Sequence, residues 1–395
     1  MRHRILFVHV MINAIIQRIR KIKNDIFSVR SFPQNIESFK EYVSSIDDKQ
    51  LDDVDRSYLS FSIRMKYSGY SIFRLFAIYS YYTISLIGLI LLIFFRRKIN
   101  IITPQSNIYY KVSNNQGILP KRFMYSTNIH MVEMGAGMLW DKDIELIIKT
   151  CIRKRYINVG FIFECLFSLL NYAYIVKVYN PQNIITSYES APAVSILTKY
   201  CSQKKVRHIN IMHGEKLYTM NNILGHFDIM YVWDEYYIDL FQKLRYKCNE
   251  YLIENPWSQL DLPNPNDLHD ITLYLNYVKY EDIQHIREIV HKVKQRKQSI
   301  YVRMHPSQFN SNFHREIEKF VHVEDITITS IFQSLSNTKY VLSQYSTVLF
   351  QGYSLGKEIV IDDMTNKSQF EKLSKCNYIM LSKPHKLLSD FVSEL

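Results

Sequence analysis

Short apolar runs alternate with stretches of helical periodicity along most of the chain. Runs at 99–102, 128–132, 183–187, 207–212 and 227–233 read as strands. Helical spacing covers roughly 141–177, 193–200 and the segment that follows 233 as far as about 246. The alternation stops where breakers cluster, at Glu254-Asn255-Pro256 and Leu262-Pro263-Asn264-Pro265-Asn266. It then restarts with a strand at 271–275, a helix over about 280–296, a strand at 300–304, a short strand near Ile326, and a helix over about 330–337. A strand at 340–342, a helix over about 346–355 and a strand at 358–361 follow. Such βαβ rhythm belongs to parallel sheets. The expectation is an α/β chain of two Rossmann-type domains, 1–255 and 269–395, joined by a linker at 256–268. A length of 395 residues, 47% of them apolar, is enough for two cores.

One segment departs from this pattern. Leu75 to Phe95 carries no charged residue, is about as long as a bilayer crossing, and runs into Arg96-Arg97-Lys98. Three readings are open: a buried core helix, a helix lying in one leaflet, or a span. Lys and Arg also precede the segment, so the positive-inside rule finds no clear asymmetry across it. The apolar start, Ile5 to Ile12, has a basic lead but no small-residue cleavage site before Arg18-Ile19-Arg20-Lys21, and is expected to be an opening strand.

A formal charge of +12 draws the surface toward polyanions, whether nucleic acid, anionic lipid or an acidic substrate. The five cysteines, Cys151, Cys165, Cys201, Cys248 and Cys376, are odd in number and never form CxxC, which points to a reducing compartment and away from a zinc site or disulfide framework. Walker, GxSxG, HExxH and GxGxxG patterns are all missing, so NTPase, serine hydrolase, zincin and dinucleotide readings lack their physical minimum.

The chemistry concentrates near the C-terminus. In Tyr301-Val302-Arg303-Met304-His305-Pro306, the proline ends the strand and fixes where His305 points, with Arg303 two residues earlier. In Val341-Leu342-Ser343-Gln344-Tyr345-Ser346-Thr347, hydroxyls meet the start of a helix, where unpaired N–H groups favour an anion. Ser346 is equally suited to capping that helix. In the first half, His213-Gly214-Glu215 and Glu133-Met134-Gly135 follow strands, with Glu189 at a third strand end. Histidine titrates near neutrality without tuning, which suits a general base.

The joint layout is the informative part. His-Pro at a strand end, Ser-x-x-Ser-Thr some forty residues on, then Leu355-Gly356-Lys357 and a strand ending in Asp362-Asp363 resemble the nucleotide-binding half of inverting GT-B transferases that build bacterial surface polysaccharides. These include bacterial sialyltransferases and polysialyltransferases, capsule Kdo transferases and teichoic-acid glycerophosphotransferases. The likeness covers about 200 to 365, with Glu358 departing from a common Lys-Pro. It implies a GT-B-like arrangement of two domains facing a cleft. It also implies that His305, Ser346 and Thr347, with Ser343 as a weaker candidate, hold the phosphate of a CMP or CDP leaving group, to which Arg303, on the same face as His305, could also donate. His213-Gly214 is similar to the His-Gly of the glycerophosphotransferases, whose histidine is the proposed base. Glu133-Met134-Gly135 is a partial match to the acidic, acidic, glycine motif of the sialyltransferases, whose first carboxylate is the base. Glu215 and Glu189 rank lower, as possible acceptor or sugar contacts.

On this resemblance the expected activity is inverting transfer of a sialic acid or Kdo-type sugar from a CMP donor to a saccharide or glycolipid acceptor. The abundance of Lys and Arg and the lack of a DxD-type pair at a strand end lead to the expectation of no cofactor or metal, and the apolar segment at 75–95 with its basic neighbours to that of a cytoplasmic site peripheral to an anionic inner membrane. Polyol-phosphate transfer from a CDP donor is the alternative. A non-catalytic basic binding protein is the rival from another class, although no nucleic-acid motif occurs, and nucleic acid is not an expected partner.

Overall fold

The structure is a computed structural model and describes residues 32–94, 104–111, 119–120, 123, 129–258, 260–276 and 280–393. The runs expected as strands at 5–12 and 99–102 lie outside the described residues.

Among these residues the chain forms two sheets of six strands, parallel throughout. The first contains β1 (Asn107–Lys111), β2 (Ile129–Glu133), β3 (Asn183–Thr186), β4 (Arg207–Ile211), β5 (His226–Val232) and β6 (Lys247–Ile253), in the order β2-β1-β3-β4-β5-β6. The second contains β7 (His269–Tyr274), β8 (Ile300–Arg303), β9 (His322–Val323), β10 (Thr338–Ser343), β11 (Glu358–Ile361) and β12 (Lys386–Leu387), in the order β12-β11-β10-β7-β8-β9. Helices α1 (Ile36–Ser44), α2 (Asp53–Tyr67), α3 (Ile72–Phe94), α4 (Lys142–Arg153), α5 (Val159–Tyr179), α6 (Val194–Gln203) and α7 (Glu235–Lys243) accompany the first sheet. Helices α8 (Ile283–Gln295), α9 (Asn312–Glu318), α10 (Ile331–Asn337), α11 (Thr347–Ser354), α12 (Lys367–Lys375) and α13 (Leu388–Ser393) accompany the second. Two Rossmann-type domains are therefore present.

In the second sheet the winding reverses at β7, with β8 and β9 on one side and β10 to β12 on the other. Doubly wound sheets bind ligands outside the carboxyl ends of the strands at such a reversal. Leu342 pairs with Leu273, and Tyr274 pairs with Arg303, so β10, β7 and β8 end at one level.

Several elements differ from expectation for local reasons. The helix expected over 141–177 is two: α4 ends before Arg155, whose φ of 61° is left-handed, and Asn158 starts α5 by accepting bonds from the Gly160 and Phe161 amides. Two helices outside the expected pattern, α1 and α2, precede the apolar segment. Phe39 and Val43 form the buried side of α1, and Asp52 with Asp55 forms a capping box on α2. The strand expected near Ile326 lies earlier, at β9.

The domains are fused through hydrocarbon. Met212, Leu217, Tyr237 and Trp257 share one core with Leu349, Phe350, Leu373 and Ile379 of the second domain. The Trp233 ring stacks on Phe350 at 5.8 Å, and Trp257 meets Trp233 edge-on at 4.5 Å. Each large side chain enclosed this way contributes about 1.5–3 kcal/mol. Asp234 adds an ion pair to Lys383 at 2.8 Å, and the Tyr218 amide donates to the Cys376 carbonyl at 2.8 Å. The seam therefore holds the loop after β4 in fixed relation to the second sheet.

Helix α3 is not enclosed, in contrast to the core-helix reading. Ile78, Tyr82 and Leu89 are buried, while Phe73, Phe76 and Ile84 are 85%, 76% and 71% exposed.

Candidate active site

The first lip of the site is the turn after β4. Met212 is buried and its amide donates to the Tyr231 carbonyl at 3.1 Å, so the strand delivers His213 in a set direction. The His213 ring is 22% exposed, with Nδ1 3.2 Å from Oε2 of Glu189. The Glu189 carboxylate is completely buried and also meets Nζ of Lys216 at 2.5 Å. Burial alone would raise that carboxyl, but the charge of Lys216 and the adjoining His213 outweigh it and hold Glu189 well below the usual carboxylate range. Glu189 is consequently an anion. It accepts from Nδ1–H of His213, which in the neutral ring leaves the lone pair on Nε2. A Cβ built on Gly214 would meet nothing within 4 Å, so the backbone beside the imidazole borders open space.

Glu215 turns the other way, into the domain seam. It is buried, and neither carboxyl oxygen accepts a well-formed hydrogen bond among the described residues. Burial pushes its carboxyl well above the usual range, and the nearby Tyr378 hydroxyl offsets only part of that. It lies close enough to Tyr237, Tyr345 and Tyr378 to interact with all three hydroxyls. Tyr345 and Tyr378 meet edge-on at 5.3 Å, and Tyr345 precedes Ser346. The loop carrying His213 thus abuts the loop carrying Ser346 through Glu215.

The second lip is built on the ends of β8 and β10. His305 has extended backbone angles, and Pro306 opens a 3-10 turn over 306–308. Nδ1 of His305 accepts from the Ser307 amide at 3.2 Å and lies 2.7 Å from the Ser307 hydroxyl. A backbone N–H can only donate, so in the neutral ring the proton sits on Nε2, a donor on an exposed side chain. Ser346 caps α11, accepting from the Val348 amide at 3.2 Å, and Thr347 is the first residue of that helix, both half-buried. With β7 between them, β8 and β10 are two strand spacings apart, about 10 Å. An anion placed outside β7 would face the imidazole on one side and the helix start on the other.

Two expected phosphate contacts are engaged elsewhere. Arg303 donates to Glu324 at 3.0 Å and to the Thr329 carbonyl at 3.0 Å, forming a nearly buried pair. Ser343 is buried and donates to the Tyr274 carbonyl at 2.7 Å, tying β10 to β7. Asp362 likewise accepts from the Met364 and Thr365 amides, and Asp363 from the Ser389 amide and hydroxyl, so this pair shapes turns.

Glu133 stands apart from His213. It ends the edge strand β2, is 80% exposed, and lies 3.9 Å from Lys111. Three strand spacings separate β2 from β4, roughly 14 Å. The two candidate bases do not converge. Lys216, which the sequence reading passed over, completes the Glu189 cluster. Its only local signal is its place next to His213-Gly214-Glu215.

No protein-family model matches the chain, and no curated protein matches it. Among solved structures, the wall teichoic acid polymerase TagF is 10% identical, with 73% of this chain and 79% of that one covered at a TM-score of 0.41. The UDP-GlcNAc 2-epimerase of Methanocaldococcus jannaschii is 10% identical, covering 72% and 94% at 0.39. A glycotransferase of kitacinnamycin is 8% identical, covering 69% and 83% at 0.41. Likenesses this faint leave the reading of the site to its residues.

Proposed function

We propose that the protein is an inverting GT-B-type transferase that uses a cytidine-nucleotide donor, with His213 as the base. The observation that carries this reading is the His213–Glu189–Lys216 cluster, placed across the domain seam from Ser346 and Thr347. Glu189 holds the imidazole in the tautomer whose Nε2 can accept a proton. An acceptor hydroxyl then gives its proton to Nε2 while its oxygen bonds to the electrophilic centre of the donor. The bond from that centre to the nucleotide phosphate breaks, and the electron pair leaves on the phosphate oxygen. Nε2–H of His305 and the start of α11, with the Thr347 hydroxyl, would stabilise the charge arriving there. These groups need no metal or cofactor for those roles.

Two donors fit this scheme. The first is a CMP-activated sugar of the sialic acid or Kdo type, for a saccharide or glycolipid acceptor. The second is a CDP-activated polyol, and a specific observation favours it: the base is an oriented histidine, as in the glycerophosphotransferase group, while Glu133 stands at an exposed edge. Incubation with CMP-sialic acid, CMP-Kdo and CDP-glycerol in the presence of saccharide and glycolipid acceptors, reading released CMP, tests the proposal. Release from one donor that is lost in His213→Gln supports it. Inertness toward all three overturns it.

A further inference from the structure

We infer that the outer side of α3 is a docking surface for an anionic lipid bilayer, and that the helix lies in the plane of the leaflet. The inference concerns binding and stands whichever donor is used. Its first support is the two-sided character of the helix. Phe73, Phe76, Ile84, Ile87 and Leu91 recur at three- and four-residue spacing on the solvent side. The opposite side carries the buried Ile78, Tyr82 and Leu89. A solvent-facing stripe of this kind, about 27 Å long from Phe73 to Leu91 at 1.5 Å per residue, has no place on an ordinary water-exposed surface. On α4 the exposed Leu146 and Ile152 are isolated among exposed Lys149 and Arg153 and form no such continuous stripe.

The second support is how the inner side is fastened. The Tyr82 hydroxyl donates to the carboxylate of Glu164 on α5, which pairs with Arg64 of α2 at 2.6 Å. Asn158 donates to the Tyr79 hydroxyl at 3.0 Å. Gly160 comes so close to Tyr82 that an added Cβ would stand 2.6 Å from the ring. A helix crossing the bilayer would have to leave this surface and strand the Arg64–Glu164 pair. A helix lying in the interface keeps every one of these contacts.

The third support is charge, which selects the occupant. Between Asp55 and Glu133 the sequence holds no Asp or Glu and ten Lys and Arg, of which eight remain once Arg56 and Arg64, held inside by Asp48 and Glu164, are set aside. The first 24 residues add six more Lys and Arg, again with no acid. Anionic headgroups complement this distribution. A second copy of the chain would bring two such acid-free stretches together, and nucleic acid would leave the hydrocarbon stripe uncovered.

The test is co-flotation of the full chain with vesicles of phosphatidylcholine alone or with 30% phosphatidylglycerol. Binding is expected to the anionic vesicles, to weaken at high salt, and to fall about tenfold or more in Phe76→Asp/Ile84→Asp with the melting temperature unchanged. Nitroxide labels at Phe76→Cys and Leu91→Cys, read by power saturation with oxygen and a nickel chelate, should report one shallow depth for both. Equal binding of the double variant, or no binding by the native chain, overturns the inference. So does a double variant that melts lower or loses a native dimer, since residues 1–31 or a second copy would then cover the stripe. Depths differing by a leaflet or more would overturn the in-plane placement.

Discussion

Replacing Glu215 by glutamine should change how stability depends on pH. Burial among Tyr237, Tyr345 and Tyr378 without a formed hydrogen bond pushes this carboxyl well above the usual range in the folded protein. The unfolded chain releases the proton in the ordinary carboxylate range, near 4.5. Between that value and the raised folded value the native state binds more protons than the unfolded state, so stability falls as pH rises. The slope for one proton is about 1.4 kcal/mol per pH unit. Above the ordinary carboxylate range the native chain should therefore lose up to about 1.4 kcal/mol per pH unit that Glu215→Gln does not lose, until the folded carboxyl itself ionises. Other shifted groups cancel in the comparison. Asp362, raised by burial, and His208, which burial lowers to about 3, occur in both proteins. Glu189, held low by Lys216 and His213 against its own burial, contributes stability that is present above the ordinary carboxylate range and lost only in more acid solution. Urea denaturation midpoints at pH 5, 6, 7 and 8, converted with each protein's own m-value, measure the difference. Parallel profiles would refute the reasoning, because they would mean that Glu215 ionises inside the fold as it does outside.

His213→Gln should lower transfer by 10²–10⁴-fold with donor binding retained, and His305→Ala by about 10²–10³-fold through loss of a donor to the leaving phosphate; single-turnover CMP release with a separate binding titration reads both. Glu189→Ala leaves Lys216 buried without its partner and should destabilise the fold by about 3–5 kcal/mol, read as a fall in urea midpoint. Gly160→Ala pushes a methyl group into the Tyr82 ring and should cost about 1–3 kcal/mol, with faster hydrogen exchange in α3 than elsewhere. An unchanged exchange pattern would mean that α3 is not held along this contact.

The strand-helix alternation from 128 onward was legible because parallel strands buried on both faces are continuous apolar runs, as at β3, β4, β10 and β11. β6 was not, since Lys247-Cys248-Asn249-Glu250 edges the sheet and stays largely solvent-facing. β1 was missed for another reason. Asn107-Ile108-Tyr109-Tyr110 is buried, but an asparagine and two tyrosines beside one isoleucine do not make a continuous apolar run. Of the candidate site, the strand-end positions of His213, His305, Ser346 and Thr347 could be read because each follows a strand that ends visibly in the sequence. The engagement of Arg303 with Glu324, and of Ser343 with Tyr274, could not be read, because both partners come from other strand ends and depend on sheet order. The same holds for the Glu189–Lys216 pair, whose members are brought together only when β3 and β4 align.

The aromatic seam also equips the protein with an internal optical gauge. Two of its three tryptophans, Trp233 and Trp257, sit at the junction of the domains against Phe350, while Trp140 lies partly in solvent on the first domain. Prying the domains apart would wet both junction indoles at once and shift their emission to the red, even if each sheet stayed intact. Comparing that emission with far-ultraviolet dichroism during unfolding would separate the parting of the domains from their melting.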